Sequence, residues 1–326
     1  MVASDAEAVE GCVAAARWGG SGDADAAGPR PLRVHVEVET GLGRAGLAPE
    51  RAAAAVARLA GIPGIQLGGL WSHLASAHDP QVSAEQVSRF RTAERAIVAA
   101  GGTVPPRHLA ATGGLLGGTA PLLDLVRPGL CLYGLLPDAF PVAGPAQDAA
   151  ASLRPALALK ARALRLERVE VGRTVGYGGR WRAARPSLVA TLPVGYGDGW
   201  SFISAGRTHA LVRGRAVPLV GSVAMDAIAA DVTDVPGVTL ADEFVLLGRQ
   251  LEASIGALDL ARARTTIPWE VVATMARRLT RVYDSAPGLL GLRTLAGEVI
   301  RHEALERWAR SVSGTATSAT SKSTPS

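Results

Sequence analysis

Four short polar clusters follow apolar segments in the first 130 residues. They are Thr40-Gly41-Leu42-Gly43-Arg44, Ser72-His73, His108 with Thr112, and Arg127-Pro128-Gly129. Arginine is a permanent cation with a planar fork of donors, suited to carboxylates, phosphates and ring nitrogens. Histidine titrates near neutrality and shuttles protons. Threonine and glycine offer a hydroxyl and unshielded backbone N–H groups. Each cluster alone reads as an ordinary salt bridge or a satisfied structural histidine. Four at successive segment ends read as a site, because parallel α/β folds put their functional residues at the C-terminal ends of the strands.

The elements that must hold these clusters follow from the hydrophobic pattern. Residues 5–18 are alanine-rich and helical in pattern, and 19–30 form a loop. Residues 32–38 and 65–71 are β-like, and 49–60 are helical with a proline at the start. An amphipathic helix over 84–100 stops at Gly101-Gly102, and short apolar segments follow at 106–111 and 122–126. Strand–helix alternation of this kind predicts βαβ units and a parallel sheet. After 137 a Pro/Ala/Gly stretch gives way to strand-like segments at 156–171, 188–194, 209–212, 216–223, 227–232 and 243–247. A helix is predicted over 269–279, and a Ser/Thr-rich tail closes the sequence.

Composition narrows the function. The 326 residues are 48% hydrophobic and 19% charged, which excludes wholesale disorder. The net charge of +5 is almost all arginine, since Lys160 and Lys322 are the only lysines. The arginines are scattered and aromatics make up 4%, so the basic stripe with stacking rings that nucleic acid requires is missing. No apolar run reaches membrane-spanning length and residues 1–10 carry no secretory pattern. With Cys12 and Cys131 the only cysteines, a cytoplasmic protein is expected, and no metal site is expected.

Nine segments, in order, carry a family resemblance: ETGLGRAG (39–46), SHLASAHD (72–79), VRPGLCLYG (126–134), VGYGGRW (175–181), ATLPVGYGDGW (190–200), VPLVGSVAMD (217–226), DVTDVPGV (231–238), ADEFVLLG (241–248) and TTIPWEV (265–271). Together they resemble alanine racemase, an enzyme that uses pyridoxal 5'-phosphate (PLP). The resemblance implies a barrel followed by a β domain, a homodimer, and interconversion of L- and D-alanine for peptidoglycan. It implies that Arg127 hydrogen-bonds the pyridine nitrogen. Tyr177, from the partner subunit, is the implied acid/base at the substrate α-carbon, supported by His73. Arg44 meets the cofactor's phenolic oxygen and the substrate carboxylate. Thr112, Gly129 and Leu130 hold the phosphate. Trp269 stands in place of a phosphate-touching tyrosine. The Met225 N–H binds the substrate carboxylate across the dimer, and Tyr196 and Asp226 line the entrance. Some relatives carry a carbamylated lysine where this sequence has Glu37, so Glu37 is expected to orient Arg44 without modification.

One family segment has no counterpart. The lysine that binds the cofactor covalently lies at the end of the first barrel strand, in a stretch like VVKADAYGHG, and neither lysine here has such a context. The fold class expected is therefore α/β plus β: a partial TIM-type barrel, made of the last four strands, over 1–137, a linker over 138–152, a β domain over 153–295, and a helical then disordered tail over 296–326. The chain as it stands is expected to lack racemisation. Racemisation of another amino acid and a non-catalytic truncated relative are the alternative functions. Decarboxylases of basic amino acids fit less well, because VRPGLCLYG and VAMD are racemase-like.

Overall fold

In the computed structural model, described for residues 1–19, 31–137, 140–142, 144, 146–285, 288–300 and 303, the chain divides into two units at Ala156 and Leu157. In the first, the valines at 34, 36 and 38 alternate with His35 and Glu37, as a strand with one apolar face requires. That strand, β2 (Leu32–Glu37), belongs to a five-stranded sheet with β1 (Val2–Ala3), β3 (Ile65–Trp71), β4 (Arg107–Ala111) and β5 (Leu125–Arg127), in sequence order and all parallel. The crossovers carry α1 (Ala6–Gly19), α2 (Ala52–Ala60), α3 (Pro80–Ala99) and the short α4 (Thr112–Leu116); α5 (Ala146–Ala151) follows. Val34, Val36 and Val38 pack with Val9, Val13, Leu59, Phe90 and Ile97 from the helices. Each such side chain contributes roughly 1.5–3 kcal/mol by leaving water. The opposite face of β2 keeps His35 and Glu37.

Three expectations for this unit need correction. The sheet has five strands, not four: Val2 and Ala3 pair with His35 and Val36, and two residues are too few for any periodicity to register. Helix α3 begins at Pro80, four residues before the expected start, because Asp79 accepts hydrogen bonds from Gln81 and Val82 and so caps it. It does stop at the glycines, with Gly101 N–H bonded to Val98 and Gly102 N–H to Ile97. The stretch expected to be linker includes α5, with 138, 139, 143 and 145 outside the described residues.

The second unit is antiparallel. One sheet runs β15–β14–β11–β12–β13–β10–β7, with β6 also on β14. Its strands are β6 (Leu159–Arg162), β7 (Arg165–Val169), β10 (Ser187–Leu192), β11 (His209–Val212), β12 (Arg215–Val220), β13 (Ile228–Asp231), β14 (Glu243–Gln250) and β15 (Ala253–Ile255). A small hairpin, β8 (Thr174–Val175) and β9 (Trp181–Arg182), presents Tyr177 in its turn. The helix expected over 269–279 is the shorter α7 (Pro268–Ala273), whose start Pro268 fixes, and an unexpected α6 (Ala257–Arg264) precedes it. A third sheet joins β16 (Arg281–Ser285), β17 (Gly288–Thr294) and β18 (Gly297–Ile300). Strand structure therefore continues past 295, where a helical tail was expected; Glu303 is helical, and 304–326 lie outside the described residues. Among the described residues no helix is long and apolar enough to cross a membrane, and no cluster of metal-ligating side chains occurs.

Candidate active site

The C-terminal ends of β2 to β5 bring Arg44, Glu37, His73, Thr112, Arg127, Gly129 and Leu130 into the first unit's polar end. Arg127 organises it. Its Nη1 donates to His108 Nδ1 at 2.6 Å and to the His108 carbonyl at 3.0 Å. Its Nη2 donates to the Ser72 carbonyl at 2.7 Å, with His73 Nδ1 and the Leu109 carbonyl each at 3.3 Å. The guanidinium lies 4.7 Å from the centre of the Trp71 ring. Five acceptors thus surround four η hydrogens, and Nε–H is the one donor of the fork without a protein partner among the described residues. Burial, and next the charges of Arg127 and Arg44, hold His73 below the ordinary imidazole pKa. His73 accepts on Nδ1, so its proton sits on Nε2.

Arg44 and Glu37 form a looser pair, Nη2 to Oε1 at 3.7 Å, with Arg44 mostly exposed and Glu37 buried. Burial pushes the Glu37 carboxyl up, against the pull of Arg44. The loop that carries Arg44 is folded by Glu39, whose carboxylate accepts from the N–H groups of Gly41 and Gly43. Thr112 Oγ1 accepts from Gly129 N–H at 3.1 Å and from Cys131 N–H at 3.4 Å. The Thr112 hydroxyl donates to Cys131 Sγ at 3.5 Å, so hydroxyl and backbone N–H groups bond one another where β4 and β5 end, with Leu130 N–H in the same turn.

Gln86 on α3 ties two of these strand ends together. It is 2% exposed, donates from Nε2 to Thr40 Oγ1 and to the His73 carbonyl, both at 3.1 Å, and accepts from Ala75 N–H at 2.8 Å. Thr40 Oγ1 in turn meets Ser72 Oγ at 2.7 Å. Sequence reasoning gave no role to Gln86, His35 or Trp71, and noted His108 only as a strand-end residue. The readable signal for Gln86 was a lone amide in the buried stripe Ser83, Gln86, Val87, Phe90 of α3.

In the second unit, one loop cluster gathers Tyr177, Tyr196, Met225 and Asp226. Ser222 Oγ donates to the Tyr177 carbonyl at 2.7 Å, and Tyr196 N–H donates to Ala224. The Met225 carbonyl accepts from Gly197 N–H at 2.8 Å. Arg278 clamps the buried Asp198 with two bonds, at 2.6 and 2.9 Å. Tyr177, Tyr196 and Met225 side chains are exposed, as is Trp269 on α7. Nearby, Arg264 is buried over the Trp200 ring at 4.5 Å, and its Nε and Nη2 have no partner among the described residues. Lys160 lies on β6, paired with Glu243 at 3.0 Å.

Both units match known protein domains. The family model described as alanine racemase, N-terminal domain, matches residues 2–137, and that for the C-terminal domain matches 156–283. The N-terminal match reaches residue 2, so it takes in β1 as well as the four strands expected. Alanine racemase of Sorangium cellulosum is 41% identical over 256 residues, covering 77% of this chain and 65% of that protein. The Geobacter sulfurreducens alanine racemase is 39% identical over 267 residues, covering 79% and 68%. The chain therefore spans about two thirds of the length of these relatives. Among solved structures, the biosynthetic alanine racemase of Pseudomonas aeruginosa superposes with a TM-score of 0.66 at 31% identity, covering 86% of this chain and 71% of that one. Alanine racemase from Streptomyces lavendulae gives 0.72 at 31%, covering 85% and 70%. With both domain types in order and nearly four-tenths identity across two thirds of a relative, the chain belongs to the alanine racemase family.

Proposed function

We propose that this chain takes part in PLP-dependent interconversion of L- and D-alanine, within a homodimer in a reducing, cytoplasmic setting. The observation that carries the reading is Arg127: its η hydrogens are consumed by the protein and its Nε–H is left for a ligand acceptor. A pyridine nitrogen is such an acceptor, and a phosphate arriving at the turn would take the Thr112 hydroxyl and the Gly129 N–H from the bonds they make with Cys131 Sγ and with each other. The residues present thus fit PLP. When bound, PLP supplies an electron-withdrawing ring that acidifies the α-hydrogen of the attached amino acid.

The chain's own groups have these proposed tasks. Arg127 donates from Nε and, since arginine keeps its proton, leaves the ring nitrogen unprotonated. Thr112, Gly129 and Leu130 bind the phosphate, and Trp269 stands in the motif position of the family's phosphate-touching tyrosine, with an indole N–H as its donor. Arg44 takes the substrate carboxylate, steered by Glu37, and the Met225 N–H of a second copy assists. Tyr177 of a second copy moves the proton at the α-carbon, and His73 Nε2–H donates to its oxygen, stabilising the phenolate form. Tyr196 and Asp226 border the entrance. Racemisation needs a base on each face. The family's second base is a lysine, whereas Lys160 pairs with Glu243 on β6 and Lys322 lies outside the described residues. That pairing favours a second reading, a chain that binds PLP without racemising by itself.

The test is PLP titration of the full chain, followed by absorbance and equilibrium dialysis, beside the Arg127→Leu variant. Binding by the parent, lost in the variant, is expected. A parent chain that leaves PLP free sinks both readings. With binding established, a chiral assay of L- to D-alanine conversion separates them.

A further inference from the structure

His35 faces away from the valine core, on the same side of β2 as Glu37. Its Nδ1 lies 2.8 Å from His108 Nε2, with the two rings edge to face at 5.0 Å and 66°. His108 Nδ1 lies 2.6 Å from Arg127 Nη1. Arginine only donates, so His108 Nδ1 accepts. A neutral imidazole has one N–H, so that of His108 is on Nε2 and points at His35. His35 Nδ1 accepts in turn, and its own proton is on Nε2. Burial is the leading cause keeping both imidazoles neutral. Arg127, His108 and His35 therefore form a chain with a single arrangement of protons.

Strand β3 is shaped around this chain. In register, His35 faces Gly69. A Cβ on Gly69 would stand 2.6 Å from His35 Nδ1 and 2.8 Å from His108 Nε2, and one on Gly68 would stand 2.6 Å from His35 Nε2. These separations are too short for any side chain, so the paired glycines form a slot for two imidazoles. Trp71 closes the slot, its ring stacked on His108 at 5.9 Å and 9° and also beneath Arg127.

We propose that His35 is a positioning residue: it holds His108 in the tautomer that accepts from Arg127, and so fixes the guanidinium with Nε–H alone presented to the ligand. The role deepens the PLP reading and rests on it. Two substitutions isolate it. His35→Asn keeps an acceptor where Nδ1 stood, while His35→Phe fills the slot without one.

The first readout is the 15N chemical shifts of the His108 ring in the full chain without PLP, assigned by difference with His108→Asn. Expected are protonated Nε2 and bare Nδ1 in the parent and in His35→Asn, and a tautomer mixture in His35→Phe. The second readout is PLP affinity, expected to fall about tenfold in His35→Phe, the scale of one lost hydrogen bond, and to be near the parent's in His35→Asn. A parent with protonated Nδ1, a phenylalanine variant with an unchanged tautomer, or equal PLP affinity in all three overturns the proposal. If His35→Phe does not fold, the parent's tautomer and the asparagine variant's tautomer and affinity decide. A parent that binds no PLP refutes the functional reading instead, and the tautomer measurement still reports on the chain.

Discussion

Replacing Gln86 with leucine removes three hydrogen bonds at a buried junction without changing side-chain bulk greatly. Thr40 Oγ1 keeps its partner Ser72, but Ala75 N–H and the His73 carbonyl lose theirs. An unmet buried polar group costs about 1–3 kcal/mol; these two are part-buried, so about 1.5 kcal/mol each, roughly 3 together. Leucine regains about 1 kcal/mol by burying carbon where the amide stood. The net loss is about 2 kcal/mol. With a slope of about 2 kcal/mol per molar urea, the unfolding midpoint of the full chain should fall by about 1 M. The effect should also reach Arg127, whose Nη2 leans on the Ser72 carbonyl and on His73, both tied to Gln86, so PLP affinity should fall in the same variant. A midpoint within about 0.5 kcal/mol of the parent, the scale of a surface substitution, would show that the amide is not the tie described.

Acid should weaken the first unit before its carboxylates titrate. His108 is held at about 4 by burial and by Arg127, below the ordinary imidazole value of about 6.5, so its stabilising neutrality is complete above 6.5 and is lost as pH falls toward 4. The loss is about 3 kcal/mol at 1.36 kcal/mol per unit, with His35 and His73 displaced the same way; equal urea midpoints at pH 7.5 and 4.5 would contradict it. Arg264, pulled to about 10 by burial, carries a penalty of about 3 kcal/mol that its stacking on Trp200 offsets by about 2. Arg264→Met should raise the midpoint by about 1 kcal/mol, and a lowered midpoint would refute that balance. Glu37→Gln should weaken alanine binding to the PLP-loaded protein, read by competition in the cofactor's absorbance; unchanged affinity would remove Glu37 from the steering of Arg44.

Strands β2 and β3 were legible because their apolar residues alternate or run together and end at polar clusters. The stop of α3 was legible in Gly101-Gly102. Strand β1 was not, since its two residues gain their conformation only from pairing with His35 and Val36. Helix α6 was missed because LDLARAR mixes arginines into its buried side, Arg264 among them. For the site, motif order put Arg44, His73, Thr112 and Arg127 near one another, and the structure places them at adjacent strand ends. The groups that hold them were hidden. A glutamine on a helix and a histidine two residues before Glu37 become meaningful only once α3 lies over the strand ends and β3 supplies glycine opposite His35.

Among the described residues the clamp on Arg127 is made entirely of carbonyls and neutral rings, with no carboxylate hydrogen-bonded to it. Its full charge therefore projects outward, joined by Arg44 and only partly answered by Glu37. A field of that sign speeds the arrival of dianionic ligands and is shortened by added salt, with a screening length near 8 Å at about 0.15 M. Capture of a phosphate-bearing cofactor should accordingly slow as ionic strength rises, while escape, governed by contacts already made, changes far less.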